Sequence, residues 1–151
     1  MKPVRIIAAG AACALSACAA LAAEGLIAIK SPHSPAETAS RFEAAVKQRG
    51  LIVFARVDHA AGASAVGKTL RPTEVFIFGS AQAGTPFMEC QQTVGIDLPL
   101  KALIWQDANH QTWFGYTDPS WLARRHGAEA CPSVEGLTKA LTGLGAAATA
   151  P

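Results

Sequence analysis

Charged residues are scarce in this sequence of 151 residues: Asp, Glu, Lys and Arg make up 16% of it, with 13 basic and 11 acidic side chains. Lys2 and Arg5 fall in an N-terminal leader, which leaves 13 − 2 = 11 basic against 11 acidic residues. The only adjacent basic pair is Arg124-Arg125. Because binding to a phosphate backbone needs a stripe of positive charge, the sequence predicts no nucleic-acid partner.

Catalytic and metal-binding signatures are also missing. No serine lies in a nucleophile-elbow context, and neither Met88-Glu89-Cys90 nor the interval from His126 to Cys131 matches a recognised ligand spacing. We therefore predict no metal and no cofactor. Repeats and linkers are absent too, and the 151 − 23 = 128 residues after the leader suit one domain. A neutral domain of this kind is more often a binding module than an enzyme.

The chain begins with the features of a secretory signal peptide over residues 1–23. An apolar, Ala-rich run, Ile6 to Ala19, follows the two basic residues and precedes a small-x-small cleavage signal at Ala20-Leu21-Ala22. We expect cleavage next to Ala23, a periplasmic or secreted protein, and no membrane attachment afterwards. Two alternatives are an uncleaved anchor, since the run approaches the ~20 residues of a spanning helix, and a lipoprotein anchored through Cys18.

Apolar periodicity predicts elements in the order β-α-β-β-β-β-α. Ser34-Pro35-Ala36-Glu37 combines an N-cap serine, a proline at the first helical position and a glutamate at the third, and Gly50 supplies the helix stop. A short helical turn is expected over 118–125, and a last helix opens at Pro132. This order predicts an α+β domain over 24–145 with one antiparallel sheet and two helices on a single face, followed by a disordered Ala-rich tail, 146–151. The β runs are 25–30, 51–57, 75–78, 100–105 and 113–117.

The stretch Gly62 to Thr69 (GASAVGKT) matches the phosphate-binding loop pattern G-x-x-x-x-G-K-[ST]. A working loop needs a helix directly after the Lys-Thr pair, so that its N–H groups meet the phosphates. Here Leu70-Arg71-Pro72 and then a β run follow, which leaves no length for that helix. We therefore predict that no nucleotide binds.

Five ordered blocks carry a family resemblance: 58–63 (DHAAGA), 70–79 (LRPTEVFIFG), 84–88 (GTPFM), 97–100 (DLPL) and 116–119 (YTDP). In order and spacing they resemble the bacterial domain of unknown function 302 (DUF302) family, from about Gly25 to Leu144. The resemblance implies a β-α-β4-α fold shaped like half of the TATA-binding protein, and no established activity comes with it. The family's loop commonly reads Gly-Asn-Pro where this chain has Gly79-Ser80-Ala81, so no role of that Asn carries over.

The candidate site is a groove near the loops that precede and follow the third strand. Strands deliver alternate side chains to one face, and glycines let backbone N–H groups approach a ligand, so a small molecule or protein partner is expected there. One alternative is an enzyme that uses Asp58, His59 and Glu74, with His59 as the general base. Another is that these residues are structural: His59 stabilises a loop, and Glu74 forms a surface ion pair with Arg71. A homodimer is left open. The candidate ligand-binding residues are Asp58, His59, Glu74, Gly79, Gly84, Thr85 and Tyr116.

Two cysteines, Cys90 and Cys131, remain after the leader is removed. In an oxidising compartment the plain expectation is a disulfide. The alternative is a redox or soft-metal protein that uses these thiols and histidines, because Cys131 also precedes a helix start, where a free thiol would be acidified.

Overall fold

The computed structural model describes residues 23–151. The predicted leader, including Cys18 and the cleavage signal, lies outside the described residues except for Ala23. The described chain forms, in order, β1 (Leu26–Ser31), α1 (Pro35–Gln48), β2 (Ile52–Asp58), α2 (His59–Ala65), β3 (Thr73–Gly79), α3 (Ala81–Cys90), a 3-10 turn (Gln92–Ile96), β4 (Leu100–Gln106), β5 (Thr112–Thr117), α4 (Pro119–His126) and α5 (Ser133–Thr149).

All five strands form one antiparallel sheet with the order β1-β5-β4-β3-β2. The first and last long helices, α1 and α5, pack on each other and on the sheet. The predicted α+β fold with a single antiparallel sheet is therefore confirmed. The helices number five rather than two, because α2, α3 and the expected turn at α4 are helical as well.

Phenylalanines fill the core between α1 and the sheet. The ring centroid of Phe42 lies 5.3 Å from that of Phe76, 5.0 Å from Phe78 and 5.1 Å from Phe114. All four side chains are fully buried. Aromatic contacts of this kind contribute ~0.5–1.5 kcal/mol beyond the burial of apolar area, so they help to hold α1 on the sheet.

The segment predicted as a loop after the second strand is the helix α2. Asp58 caps it, because its Oδ1 accepts a hydrogen bond from the backbone N–H of Ala61 at 2.9 Å. Gly62 consequently lies inside a helix, and Lys68 and Thr69 follow that helix and lead toward β3. The helix stands before the Lys-Thr pair rather than after it, so this segment lacks the backbone context of a phosphate-binding loop.

The second predicted loop, 79–85, is mostly the start of α3. Ser80 caps this helix by accepting a hydrogen bond from the backbone N–H of Ala83 at 3.2 Å. Gly84 and Pro86 lower helix propensity, which is why the sequence favours a loop here. The cap and the complete burial of Phe87 outweigh that preference.

The tail predicted to be disordered is helical, because α5 continues through Thr149. Ala148 is fully buried in the core. The backbone oxygen of Ala150 accepts hydrogen bonds from Arg41 Nη2 at 2.8 Å and from His33 Nε2 at 2.6 Å. The end of the chain therefore packs on the start of α1 instead of fraying.

The strand β2 lies at one edge of the sheet and pairs only with β3. The register shifts between Val53 and Ala55, which leaves Phe54 as an extra residue in a β-bulge. The Phe54 side chain is 53% exposed. The bulge turns an aromatic ring of an edge strand toward the corner where β3 meets α3, where it lines a pocket.

Candidate functional site

The strand β3 separates the predicted site residues into two groups. Asp58, His59 and Glu74 lie where β3 begins, which we call the polar end, and Gly79 and Gly84 lie where it finishes, which we call the apolar end. At ~3.3 Å per residue, Glu74 and Gly79 are about 16 Å apart along the strand. The predicted pocket that joined them does not form, because an extended strand holds its two ends apart.

At the polar end, Glu74 is held by an arginine of the neighbouring strand. Arg56 donates from Nε to Glu74 Oε1 at 2.7 Å, from Nη2 to Glu74 Oε2 at 3.1 Å, and from Nη1 to Glu43 Oε2 at 3.1 Å. The predicted Glu74 partner was Arg71, which instead donates to the backbone oxygen of Gln106 at 3.2 Å. Both carboxylate oxygens of Glu74 are therefore engaged within the protein.

Two members of these ion pairs have shifted pKa values. The hydrogen bond to Glu74 raises the pKa of Arg56, and the hydrogen bond from Lys47 lowers the pKa of Glu43. The side chain of Arg56 is 45% exposed and that of Glu43 is 26% exposed. Pairs this open to solvent contribute at most ~1 kcal/mol to stability.

Asp58 and His59 occupy the start of α2. The carboxylate of Asp58 serves as the N-cap, and His59, the first residue of the helix, is exposed. Asp58 and Glu74 also line a cavity of about 370 Å³ beside the N-terminus of α1. Asp58 and Glu74 thus have structural partners, and the cavity they border is shared with Ser34 and Pro35.

Two other predicted residues belong to neither group. Tyr116 is only 3% exposed and lies in the core beside Phe114, because alternate residues of β5 face the helices. Thr85 is exposed on α3 and lies outside the residues that line the nearby pocket. The sequence placed both at a site because it predicted one pocket bounded by the loops on either side of the third strand and by the last strand.

The apolar end holds an open pocket of about 280 Å³. Its walls come from the β3–α3 corner, α3, the 3-10 turn, the start of β4 and α5, and they are almost entirely apolar. Side chains that line it include Phe54, Ala83, Met88, Leu98, Leu100 and Leu137. Of the predicted residues, Gly79 and Gly84 are part of this wall.

Glycines keep the pocket open. Gly79 has a φ of +151°, a conformation that L side chains rarely adopt, and it makes the corner between β3 and α3. A Cβ at Gly84 would lie 3.4 Å from Leu98 Cδ1, and one at Gly95 would lie 3.4 Å from Met88 Sδ. Larger side chains at these positions would occupy the space that the pocket now has.

The two cysteines lie at or next to the ends of α3 and α5, two helices that contribute to the wall of this pocket. Cys90 is the last residue of α3, and Cys131 stands shortly before α5. Their Cα atoms are 5.9 Å apart, within the range that a disulfide spans. Cys131 is 7% exposed, whereas Cys90 is exposed.

A polar cluster surrounds His126, and no sequence pattern predicts it. Its Nε2 lies 2.7 Å from Asp97 Oδ2 and its Nδ1 lies 3.0 Å from Thr93 Oγ1, and Arg125 Nε lies 3.4 Å from the same Asp97 oxygen. The His126 side chain is 8% exposed. These contacts join the 3-10 turn to α4. The spacing of 29 residues between Asp97 and His126 gave no local signal.

Within residues 23–151, no group of three or more His, Cys, Asp and Glu side chains is arranged to hold a metal ion. Across the same residues, no helix has both the length and the apolar character needed to cross a membrane.

The fold matches that of a solved protein. The crystal structure of an uncharacterized conserved protein DUF302 from Bacillus stearothermophilus superposes with a TM-score of 0.74, at 21% identity, over 82% of this chain and 97% of that one. At this identity, the likeness establishes the fold alone.

Sequence relatives extend the comparison. The protein named fluoride-specific ion channel FluC 1 of Brucella suis biovar 1 is 49% identical over 102 residues, which are 68% of this chain and 40% of that protein. FluC 2 of Brucella melitensis biotype 1 matches at 49% over 102 residues and 38% of its length. The chain thus spans about two fifths of these relatives. The family model for the domain of unknown function DUF302 matches residues 27–144, and the chain belongs to that family.

Proposed function

We propose that this domain binds a small apolar molecule in the pocket at the apolar end of β3. The observation that carries the proposal is the pocket itself: an open space of about 280 Å³ with apolar walls, beside a core in which Phe76, Phe78 and Phe87 are fully buried. Ligand sites are typically concave and mostly apolar, and one or two per protein is usual.

The volume limits the size of the ligand. A cavity of roughly 150 Å³ lined by aliphatic and aromatic residues takes up benzene. A pocket of about 280 Å³ therefore suits a compact molecule of one or two fused rings or a short branched chain. Phe54, which is 53% exposed, stands at the edge of this space and can cover part of a bound ligand.

A fluorescence titration tests the proposal. The probe is the neutral dye N-phenyl-1-naphthylamine, whose two fused naphthyl rings match this size and whose phenyl ring can extend through the open side of the pocket. The dye brightens in apolar surroundings, and it is added to the protein and to two glycine variants. In Gly84→Leu the new side chain extends toward Leu98 and fills the pocket, so we expect dye affinity to fall at least tenfold. Gly62→Leu is the matched control, because a Cβ at Gly62 in α2 meets nothing within 4 Å.

Unchanged dye affinity in Gly84→Leu, or an equal loss in Gly62→Leu, would remove the pocket as the binding site. Thermal unfolding of both variants accompanies the titration, since replacing a helical glycine raises helix propensity by up to ~1 kcal/mol. A loss of binding without a loss of stability in Gly84→Leu separates a filled pocket from a damaged fold.

An enzyme that uses Asp58, His59 and Glu74 receives less support. Asp58 caps α2 and Glu74 is held by Arg56, so two of the three groups already serve the fold. The ion-channel name of the Brucella relatives describes longer proteins. The chain spans two fifths of those proteins, and the apolar pocket offers little to a small anion.

Export to an oxidising compartment, with a mature N-terminus next to Ala23, stays a prediction that the intact mass of the purified protein checks. A measured mass that includes Met1, or a lipid on Cys18, would contradict it. We also propose that Cys90 and Cys131 form a disulfide in that compartment, because their Cα separation of 5.9 Å permits it.

A further inference from the structure

The cysteine pair connects two walls of the apolar pocket. Cys90 ends α3, which contributes Ala83, Gly84 and Met88 to the wall, and Cys131 stands two residues before α5, which contributes Leu137. A bond between the two sulfurs therefore fixes how far α3 stands from α5. No other covalent link joins these elements except the chain itself, which takes 41 residues to run from one cysteine to the other.

The helix α3 is buried over only a small part of its surface. Of its ten residues only Phe87 is buried, and Gly84 and Pro86 weaken the helix from within. Its first turn is capped by Ser80 at the β3 corner, but its last turn carries the exposed Cys90. The last turn is held by the buried Phe87, by the partly buried Met88, which packs on the same cluster, and by the link through Cys90.

We propose that a reversible thiol–disulfide exchange at Cys90 and Cys131 opens and closes the apolar pocket. This inference rests on the proposed binding function and adds its regulation. With the bond formed, α3 is held against α5 and the pocket keeps its walls. With the bond reduced, the last turn of α3 separates from α5 and the pocket loses its shape. Proteins draw their mobile binding elements from such weakly attached segments.

The exchange requires a dithiol reductant. A thiolate of the reductant attacks the Cys90 sulfur, because Cys90 is exposed whereas Cys131 is 7% exposed. A mixed disulfide forms at Cys90, and Cys131 leaves as a thiolate that takes up a proton. The second thiol of the reductant then attacks its own sulfur in the mixed disulfide and releases Cys90 as a thiol. The reductant becomes a cyclic disulfide, and the protein gains two electrons and two protons.

The test compares the oxidised, reduced and reoxidised forms of the same protein. Dithiothreitol serves as the reductant, thiol counting verifies each state, and N-phenyl-1-naphthylamine reports binding. We expect the dye to bind at least tenfold more weakly after reduction and to recover its affinity after reoxidation. The Cys90→Ser/Cys131→Ser variant should bind like the reduced form and ignore dithiothreitol. Measurable dye binding with the same affinity in the oxidised and reduced forms would overturn the proposal.

Hydrogen exchange gives a readout that does not need the dye. On reduction, amide exchange in the second half of α3 should rise at least tenfold, while exchange in the middle of α1 stays unchanged. If neither form binds the dye but α3 responds in this way, the binding function fails and the redox response stands. Unchanged exchange in α3 with both thiols free, or a native protein whose thiols cannot be oxidised to an intramolecular bond, would overturn the switch.

Discussion

The two ends of strand β3 differ in what holds them. At the polar end, Arg56 joins Glu74 and Glu43 through exposed ion pairs. At the apolar end, Phe87 is fully buried in a second cluster, together with Val94 and Leu122, beside the open pocket. The same strand therefore ends in charge-assisted hydrogen bonds on one side and in side-chain packing around a space on the other.

This difference bears on how a site is recognised. Charged residues beside predicted loops suggest a functional site, yet here Asp58 caps a helix and Glu74 forms an ion pair. The apolar pocket lies where the sequence offers glycines and ordinary apolar residues, whereas the cavity at the other end is bordered by Asp58 and Glu74, whose carboxylates are already engaged. Satisfied polar groups belong to the scaffold, whereas unfilled apolar space leaves room for something else.

The largest effect is expected at the apolar end. Phe87→Ala removes a fully buried ring, so we expect the free energy of unfolding to fall by ~3–5 kcal/mol in urea titrations. Thr85→Ala, on the exposed side of the same helix, is the control and should stay within ~0.5 kcal/mol of the parent. If the Phe87 variant were as stable as this control, the packing of Phe87 in the second cluster would not contribute to the stability of the fold.

A smaller effect is expected at the polar end. Arg56→Met removes the contacts with Glu74 and Glu43 but keeps an unbranched chain near the Phe76 ring, over which the guanidinium now lies at 4.6 Å. Because the Arg56 side chain is 45% exposed, we expect a loss of no more than ~1 kcal/mol, diminishing as salt is added. A loss as large as that of Phe87→Ala would erase the contrast between the two ends.

The smallest expected effect is on how the stability of the fold depends on pH. Trp113 Nε1 donates to Asp107 Oδ2 at 2.9 Å, in the turn that follows β4 near the polar end, and this hydrogen bond lowers the pKa of Asp107. A lowered pKa stabilises the fold above the unfolded value of about 4, and that contribution is lost as the pH falls through the folded value. Melting temperatures measured from pH 6 to pH 3 should therefore decline less steeply in Asp107→Asn. A slope identical to that of the parent would show that this carboxyl does not contribute.

Local patterns were enough to predict the sheet and the first helix. The β runs lie within one to two residues of the observed strands, because each alternates or concentrates β-branched and aromatic residues between turn signals. The N-cap at Ser34 is where the sequence places it, with its hydroxyl bonded to the N–H of Glu37. The helix α3 was not predicted, because its glycine and proline lower the helix propensity of the segment. The burial of Phe87, which favours the helix, depends on elements that are distant in the sequence.

The site could be predicted only in part. Gly79 and Gly84 do line the pocket, and the sequence indicated them because backbone freedom is visible in the residue type. The remaining wall comes from Leu98, Leu100 and Leu137, whose approach is set by how the 3-10 turn and α5 pack. The contact between Asp97 and His126 likewise exists only after α4 has docked. Such distances depend on the tertiary arrangement and cannot be read from residues that are neighbours in the sequence.

The bulge at Phe54 has a consequence for molecules that meet at high concentration. An exposed edge strand is a template on which a neighbouring chain can add its own strand, and Ile52 and Val57 make this one attractive. The extra residue interrupts the even spacing of N–H and C=O groups that an incoming strand would need to match. The same β-bulge that brings the Phe54 ring to the pocket thus also discourages edge-to-edge pairing between the sheets of neighbouring molecules.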